Sequence, residues 1–160
     1  MLDRHDGAVR LLARRLRADC GALVAVEQRR SELDRVDAKG EVHRARLDLI
    51  VTLHGEEYLV DVTFTDVRTV DAEQLAARLR WDGVAARRAE DGKRHKYPAP
   101  NLVPLAIETG GRIGAAGLDW LRRVCAAAEA QDAWQSFLRE LSAHTQAATA
   151  ASVTAAVSGA

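Results

Sequence analysis

Two runs of β-branched and apolar residues flanking a histidine and a glycine constrain this chain most. Arg44 to Leu53 (RARLDLIVTL) and Glu56 to Thr65 (EEYLVDVTFT) each show partial period-2 alternation, the mark of a strand. His54-Gly55 lies between them. Glycine supplies a left-handed turn position freely, and histidine tolerates one better than most residues do. A tight β-hairpin is therefore predicted, with Leu53 opposite Glu56. Continued inward, that register sets Asp48 opposite Asp61 on one face, with Cβ atoms about 5 Å apart.

Like charges facing each other destabilise a sheet, and both aspartates interrupt apolar runs (LDLI and LVDVTF). Two readings follow. In one, they are solvated residues on the exposed face of a half-buried sheet, in line with Arg46 and Glu57. In the other, they form a site that needs a cation. Hard divalent ions take oxygen ligands of this type. Ile50 and Leu59 share the same face and favour a site.

The surrounding pattern is α/β. Asp3 to Asp19 repeats apolar residues at helical spacing (Val9, Leu12, Ala13, Leu16) and closes near Gly21. Leu23 to Glu27 is a short strand candidate, and Gln28 to Gly40 reads as a loop or exposed helical turn. Asp71 to Ala89 reads as a helix opened by a capping box, Asp71 with Gln74, and stopped by Gly92. Leu102 to Thr109 is a strand whose Pro104 points to an edge or a bulge. Leu118 to Leu141 reads as one long helix. Residues 143–160 are almost all Ala, Thr, Ser and Val and are expected to form a disordered tail beyond a domain of residues 1–142. Helix, strand, hairpin, crossover helix, strand and helix in that order predict a mixed sheet with helices on both faces.

Composition narrows the class. A chain of 160 residues suits one domain that needs no disulfide or structural metal. Its two cysteines, Cys20 and Cys125, are far apart in sequence, which argues against a disulfide scaffold or zinc ribbon and for a reducing compartment. No apolar run is long enough for a membrane span, and the N-terminus lacks a signal-peptide core. Formal net charge is zero. That counts against a strongly basic nucleic-acid coat but leaves room for a local basic groove.

The clearest local excess of positive charge runs from Arg87 to Lys96 and ends in Lys93-Arg94-His95-Lys96-Tyr97. Alone, it reads most simply as a solvated helix end, where cations suit the dipole. A lysine reaching the acidic pair would instead stabilise developing phosphorane charge. Glu108-Thr109-Gly110-Gly111-Arg112 is either a plain turn or a place where backbone and Arg112 approach a phosphate. Trp81, Trp120 and Trp134 read as packing residues, and the five histidines show no metal-ligand spacing.

Taken together, Arg46-Leu47-Asp48, twelve intervening residues, Asp61-Val62-Thr63 and then Lys93-x-x-Lys96-Tyr97 resemble the restriction-like endonuclease domain of site-specific non-LTR retrotransposons. The segment Val103 to Gly114 is similar to the strand and glycine loop that follow in related proteins. The resemblance implies a restriction-endonuclease-like fold: a central mixed four-stranded sheet with an αβββαβ core, plus a long C-terminal helix. It implies that Asp48 and Asp61 bind Mg²⁺ or Mn²⁺, with Glu27 as a weaker third acid, and that Lys93 or Lys96 is the catalytic lysine. Arg46, Arg94, Tyr97 and Arg112 would contact DNA. It further implies nicking of DNA in the nucleus, and a detached C-terminal region of a retroelement polyprotein whose other domains would be partners. Two positions depart from the pattern. Thr63 stands where the wider superfamily has its lysine, and Leu47 stands where the family has proline. An inactive DNA-binding or interaction module is the alternative.

Overall fold

The computed structural model describes residues 4–66, residue 76 and residues 82–158. Helix α1 (Arg4–Cys20) leads into β1 (Leu23–Arg29) and a short 3₁₀ turn (Ser31–Leu33). A small ladder of β2 (Arg35–Val36) and β3 (Val42–His43) precedes the hairpin of β4 (Arg46–Leu53) and β5 (Glu56–Thr65). Helix α2 (Val84–Lys96), β6 (Leu102–Glu108), α3 (Ala115–Ala127) and α4 (Gln131–Ser158) follow.

The architecture is mixed α/β, as the element order predicts. The main sheet has the order β1-β4-β5-β6. The first three strands are antiparallel, and β6 joins β5 in parallel, which requires a crossover. Pro104 is accommodated because β6 is an edge strand.

The hairpin turn forms as its residues dictate. His54 (φ 50°) and Gly55 (φ 83°) are both left-handed, as a type I′ connection requires. Leu53 pairs with Glu56, and the register runs unbroken to Leu49 with Val60. The two faces then divide. Leu49, Val51, Leu53, Val60, Val62, Val103, Leu105 and Ile107 meet α1, α3 and α4 in the main core, where Trp120, Phe137 and Leu141 are buried. Ala45, Leu47, Ile50, Leu59 and Tyr97 form a smaller cluster on the other face. Trp120 and the half-buried Trp134 are packing residues as expected, while Trp81 lies outside the described residues.

Three expectations need correction. Most of the crossover segment from Asp71, with its capping box, lies outside the described residues. Its described part is not a continuous helix to Ala89: Asp82 and left-handed Gly83 form a turn, and α2 starts at Val84 and runs past Gly92 to Lys96, so it carries the basic cluster on its last turn. Glycine inside a helix costs about 1 kcal/mol relative to alanine and does not forbid it.

The second correction concerns the predicted helix Leu118–Leu141, which is broken. Glu129 takes a left-handed conformation (φ 55°), the Ala130 amide donates to Cys125 O (2.8 Å) and the Glu129 amide donates to Ala126 O (3.1 Å). This is a Schellman stop made without its usual glycine, so the sequence carried no obvious sign of it.

Third, the Ala-rich tail expected to be disordered continues α4 to Ser158, and the helix passes through position 142 without a boundary. Alanine has the highest helix propensity, and tertiary bonds anchor the early tail. Thr149 Oγ1 donates to Thr109 O (3.2 Å) and Gln146 Nε2 to Gly110 O (3.1 Å).

Candidate functional site

Asp61 lies on β5, between β4 and β6, and is only 5% exposed. It points to the face away from the main core, as its neighbour Leu59 does by alternation. Helix α2 packs against β5 and β6 and brings Lys93 Nζ to 2.6 Å from Asp61 Oδ2. At that distance the ammonium forms a charge-assisted ion pair with the carboxylate. Burial pushes the Asp61 carboxyl above the usual carboxylate range, the Lys93 ammonium offsets part of that rise, and the charge of Asp48 adds to it.

Asp48 is half-buried on β4. The paired ladder with β5 stops at Leu49, one residue short of the aspartates. Asp48 instead uses its side chain there, with the Val62 amide donating to Oδ2 at 2.7 Å. The β1 side is interrupted at the same point. Val26 pairs with Leu49 and Gln28 with Leu47, but Glu27 and Asp48 between them do not pair. Glu27 is left-handed (φ 53°), a strained conformation for a residue with a side chain. Leu47 and Leu49, two residues apart, lie in different clusters. The sheet is therefore locally distorted across the row Glu27, Asp48 and Asp61, without an inserted residue. Such distortions re-aim side chains and recur beside functional sites.

The site holds a residue the sequence did not single out. His5 Nε2, from the first turn of α1, lies 3.3 Å from Asp48 Oδ2. The Asp48 carboxylate raises the His5 pKa to about 9, against a smaller opposing effect of burial. Only its partner in space reveals His5, which sits 43 residues earlier in the chain and in no motif.

Of the expected residues, the structure brings Lys93 onto Asp61 and leaves Asp48 near enough for its charge to act on the Asp61 carboxyl. Lys96 lies one turn further on, with Nζ 4.8 Å above the Tyr97 ring. Glu27 is held away by an ion pair with Arg46. Arg94 is exposed and meets Asp91 at 3.5 Å. Tyr97 is 5% exposed and packs in the smaller cluster, so its ring offers no stacking face. Arg112 reaches Asp82 (2.9 Å) and Glu108 (3.9 Å) rather than the acidic pair.

Two buried glutamates position the lysine helix. Gly83 precedes α2 and has no side chain to cap it, so Glu108 Oε1 accepts from the Ala86 amide (3.3 Å). Gly114 precedes α3, and Glu90 of α2 accepts from the Ala116 and Gly117 amides (3.3 and 3.4 Å). Each carboxylate thus satisfies orphan N–H groups at a helix start. A Cβ at Gly114 would lie 2.1 Å from Glu90 Oε1, so glycine is required for this approach. Burial raises the Glu90 carboxyl above its ordinary range despite the amides. The sequence held a signal for Glu90, which stands four residues after Ala86 on the buried stripe of α2.

Among the described residues, three ligand-type side chains converge only at Asp37 and Glu41, in the turn between β2 and β3, and His43 of β3. No family model matches this chain, and comparison with curated proteins finds no relative.

Proposed function

We propose that this chain is a metal-dependent DNA endonuclease of the restriction-like type, with Asp48 and Asp61 as ligands for Mg²⁺ or Mn²⁺. The observation that carries the reading is the buried Asp61 carboxylate, contacted by the ammonium of Lys93 and within electrostatic reach of Asp48. A buried charge is costly unless it is paired or holds a metal, and burial still raises the Asp61 carboxyl despite the Lys93 ammonium. The donor set of two carboxylates suits a hard cation. The αβββαβ order, with an acid on each hairpin strand and the lysine on the crossover helix, agrees with the retrotransposon-type resemblance.

A divalent ion bound there supplies Lewis-acid charge and a water of lowered pKa. This chain's own contribution is positional. The β4–β5 hairpin sets the two carboxylates, the Val62 amide and His5 orient Asp48, and Lys93 places a cation next to the site to stabilise charge developing on a phosphate. Lys93 is the better candidate than Lys96, whose ammonium lies over Tyr97.

The test is nicking of supercoiled plasmid with Mg²⁺ or Mn²⁺, wild type beside Asp61→Ala. Activity lost both in the variant and on chelation supports the reading; a folded wild type that leaves the plasmid intact refutes it. The second reading, an inactive DNA-binding module, is favoured by one observation. Lys93 already compensates Asp61, so the fold does not need an ion there. Such a module would bind DNA with no response to divalent ions.

A further inference from the structure

The β2–β3 ladder is a short arm with an unusual surface. Val36 and Val42 pair across it and are 67% and 61% exposed. Nearby arginines are mostly engaged: Arg29 with Asp34, Arg30 with Glu32 and Glu57, and Arg46 with Glu27. Arg35 and Arg44 are different, for neither forms an ion pair among the described residues, and both are exposed.

These two arginines, with Lys96 and Tyr97 at the end of α2, line a cleft of about 550 Å³. Three permanent cations thus converge from β2, from the residue after β3 and from α2. The acid that also lines the cleft, Asp37, is occupied: Oδ1 accepts the amides of Lys39 and Glu41, and Oδ2 meets His43 Nε2 at 3.0 Å. A helix C-terminus carries roughly half a negative charge. The basic residues Lys93, Arg94 and Lys96 in the last turn of α2 outweigh it. The cleft is therefore cationic, and it adjoins the site because Lys96 lies one turn beyond Lys93 on the same helix.

We propose that this cleft binds the phosphate backbone of a nucleic-acid strand and that the β2–β3 arm clamps the strand beside Asp61. The cations come from three separate segments and all are exposed, an arrangement that suits successive phosphates of a polyanion better than one enclosed small anion. Phosphate contacts of this kind position the strand and carry no sequence information. The exposed Val36–Val42 pair offers apolar surface to sugars. The proposal rests on the nucleic-acid reading above but not on catalysis.

The test is binding of the full chain to a fluorescently labelled DNA duplex of about 20 base pairs, with chelator present, across a salt series. Wild type should bind, and Arg35→Gln/Arg44→Gln should weaken binding about tenfold or more. The slope of log affinity against log salt should fall by about 2, close to one unit per lost phosphate contact. Arg35→Lys/Arg44→Lys should restore most of the affinity, because lysine serves phosphate as a point charge. Circular dichroism checks that the variants fold. Equal affinity and slope for the Gln variant and wild type, or no binding by wild type, would overturn the clamp. Intact binding without cleavage in Mg²⁺ or Mn²⁺ would refute the nuclease and leave the clamp standing.

Discussion

The two faces of the sheet are covered in different ways. Beneath α1, α3 and α4 the contacts are apolar: Leu49, Val51, Val60, Leu105 and Ile107 meet Leu12, Leu16, Trp120 and Phe137, all nearly or wholly buried. Beneath α2 the apolar cluster is small, and the buried residues include Asp61, Glu90 and Glu108. One face holds the fold together by removing hydrocarbon from water. The other holds a helix in place through carboxylates that find ammonium or amide partners. The first arrangement tolerates approximate fits; the second fails when a single partner is lost, because an unpaired buried charge remains. Function is expected on the second face, where the buried charge of Asp61 lies among titratable partners.

Substitutions can test that contrast. The largest stability loss should come from Trp120→Ala on the apolar face, about 3–5 kcal/mol by urea denaturation. A loss under about 1 kcal/mol would show that α3 is not integral to the core. Next is an asymmetry on the charged face. Lys93→Met removes the one cation in contact with Asp61 among the described residues and should cost about 1–3 kcal/mol, since Lys96 still acts on the carboxylate. Asp61→Asn removes the buried charge and should cost less, because Lys93 is about a quarter exposed and can turn to solvent. Equal effects would mean that the pair does not behave as a buried charge and its counter-ion. Divalent ions should also raise the melting temperature of wild type and not of Asp61→Asn.

Glu90 gives a smaller, pH-dependent effect. Its folded pKa is raised by burial, so the stability linked to its protonated form is complete below the ordinary carboxylate range and is lost as pH rises through the raised value. The non-titrating Glu90→Gln should therefore gain on wild type as pH rises above the ordinary carboxylate range. A difference that stays constant as pH rises would contradict a carboxyl whose burial raises its pKa. Smallest of all, Glu27→Gly should stabilise by up to about 1 kcal/mol by relieving a left-handed residue. If it also lowers plasmid nicking, the distortion around Asp48 matters to the site.

What the sequence revealed depended on distance along the chain. The His54-Gly55 turn, the register it imposes and the edge placement of Pro104 are local consequences of residue type, and each holds in the structure. The aspartate row was legible through that register, although the ladder ends just before it. The basic cluster was legible as charge at a helix end, but the helix carries it on its own last turn, because Gly92 is tolerated once α2 is packed on β6 and tied to α3. His5 beside Asp48, and Glu90 and Glu108 at the helix starts, come from segments brought together only by folding. The tail misled for a related reason. Small residues suggested too little bulk to pack, yet alanine favours a helix and Thr149 and Gln146 tie it to the loop after β6.

The capping of α3 by Glu90 has a consequence for where this chain can be shortened. Glu90 and Lys93 lie three residues apart on α2, so the turn that delivers the ammonium to Asp61 is riveted to the first amides of α3. A chain cut after β6 would retain Asp48, Asp61, Lys93 and Lys96 yet leave Glu90 facing no amide. Its α2 would then lose its tie to α3 and keep only its contacts with the sheet, among them Glu108 at its start and Lys93 with Asp61. The shortest segment able to present the acid–lysine arrangement therefore extends beyond the last residue that takes part in it.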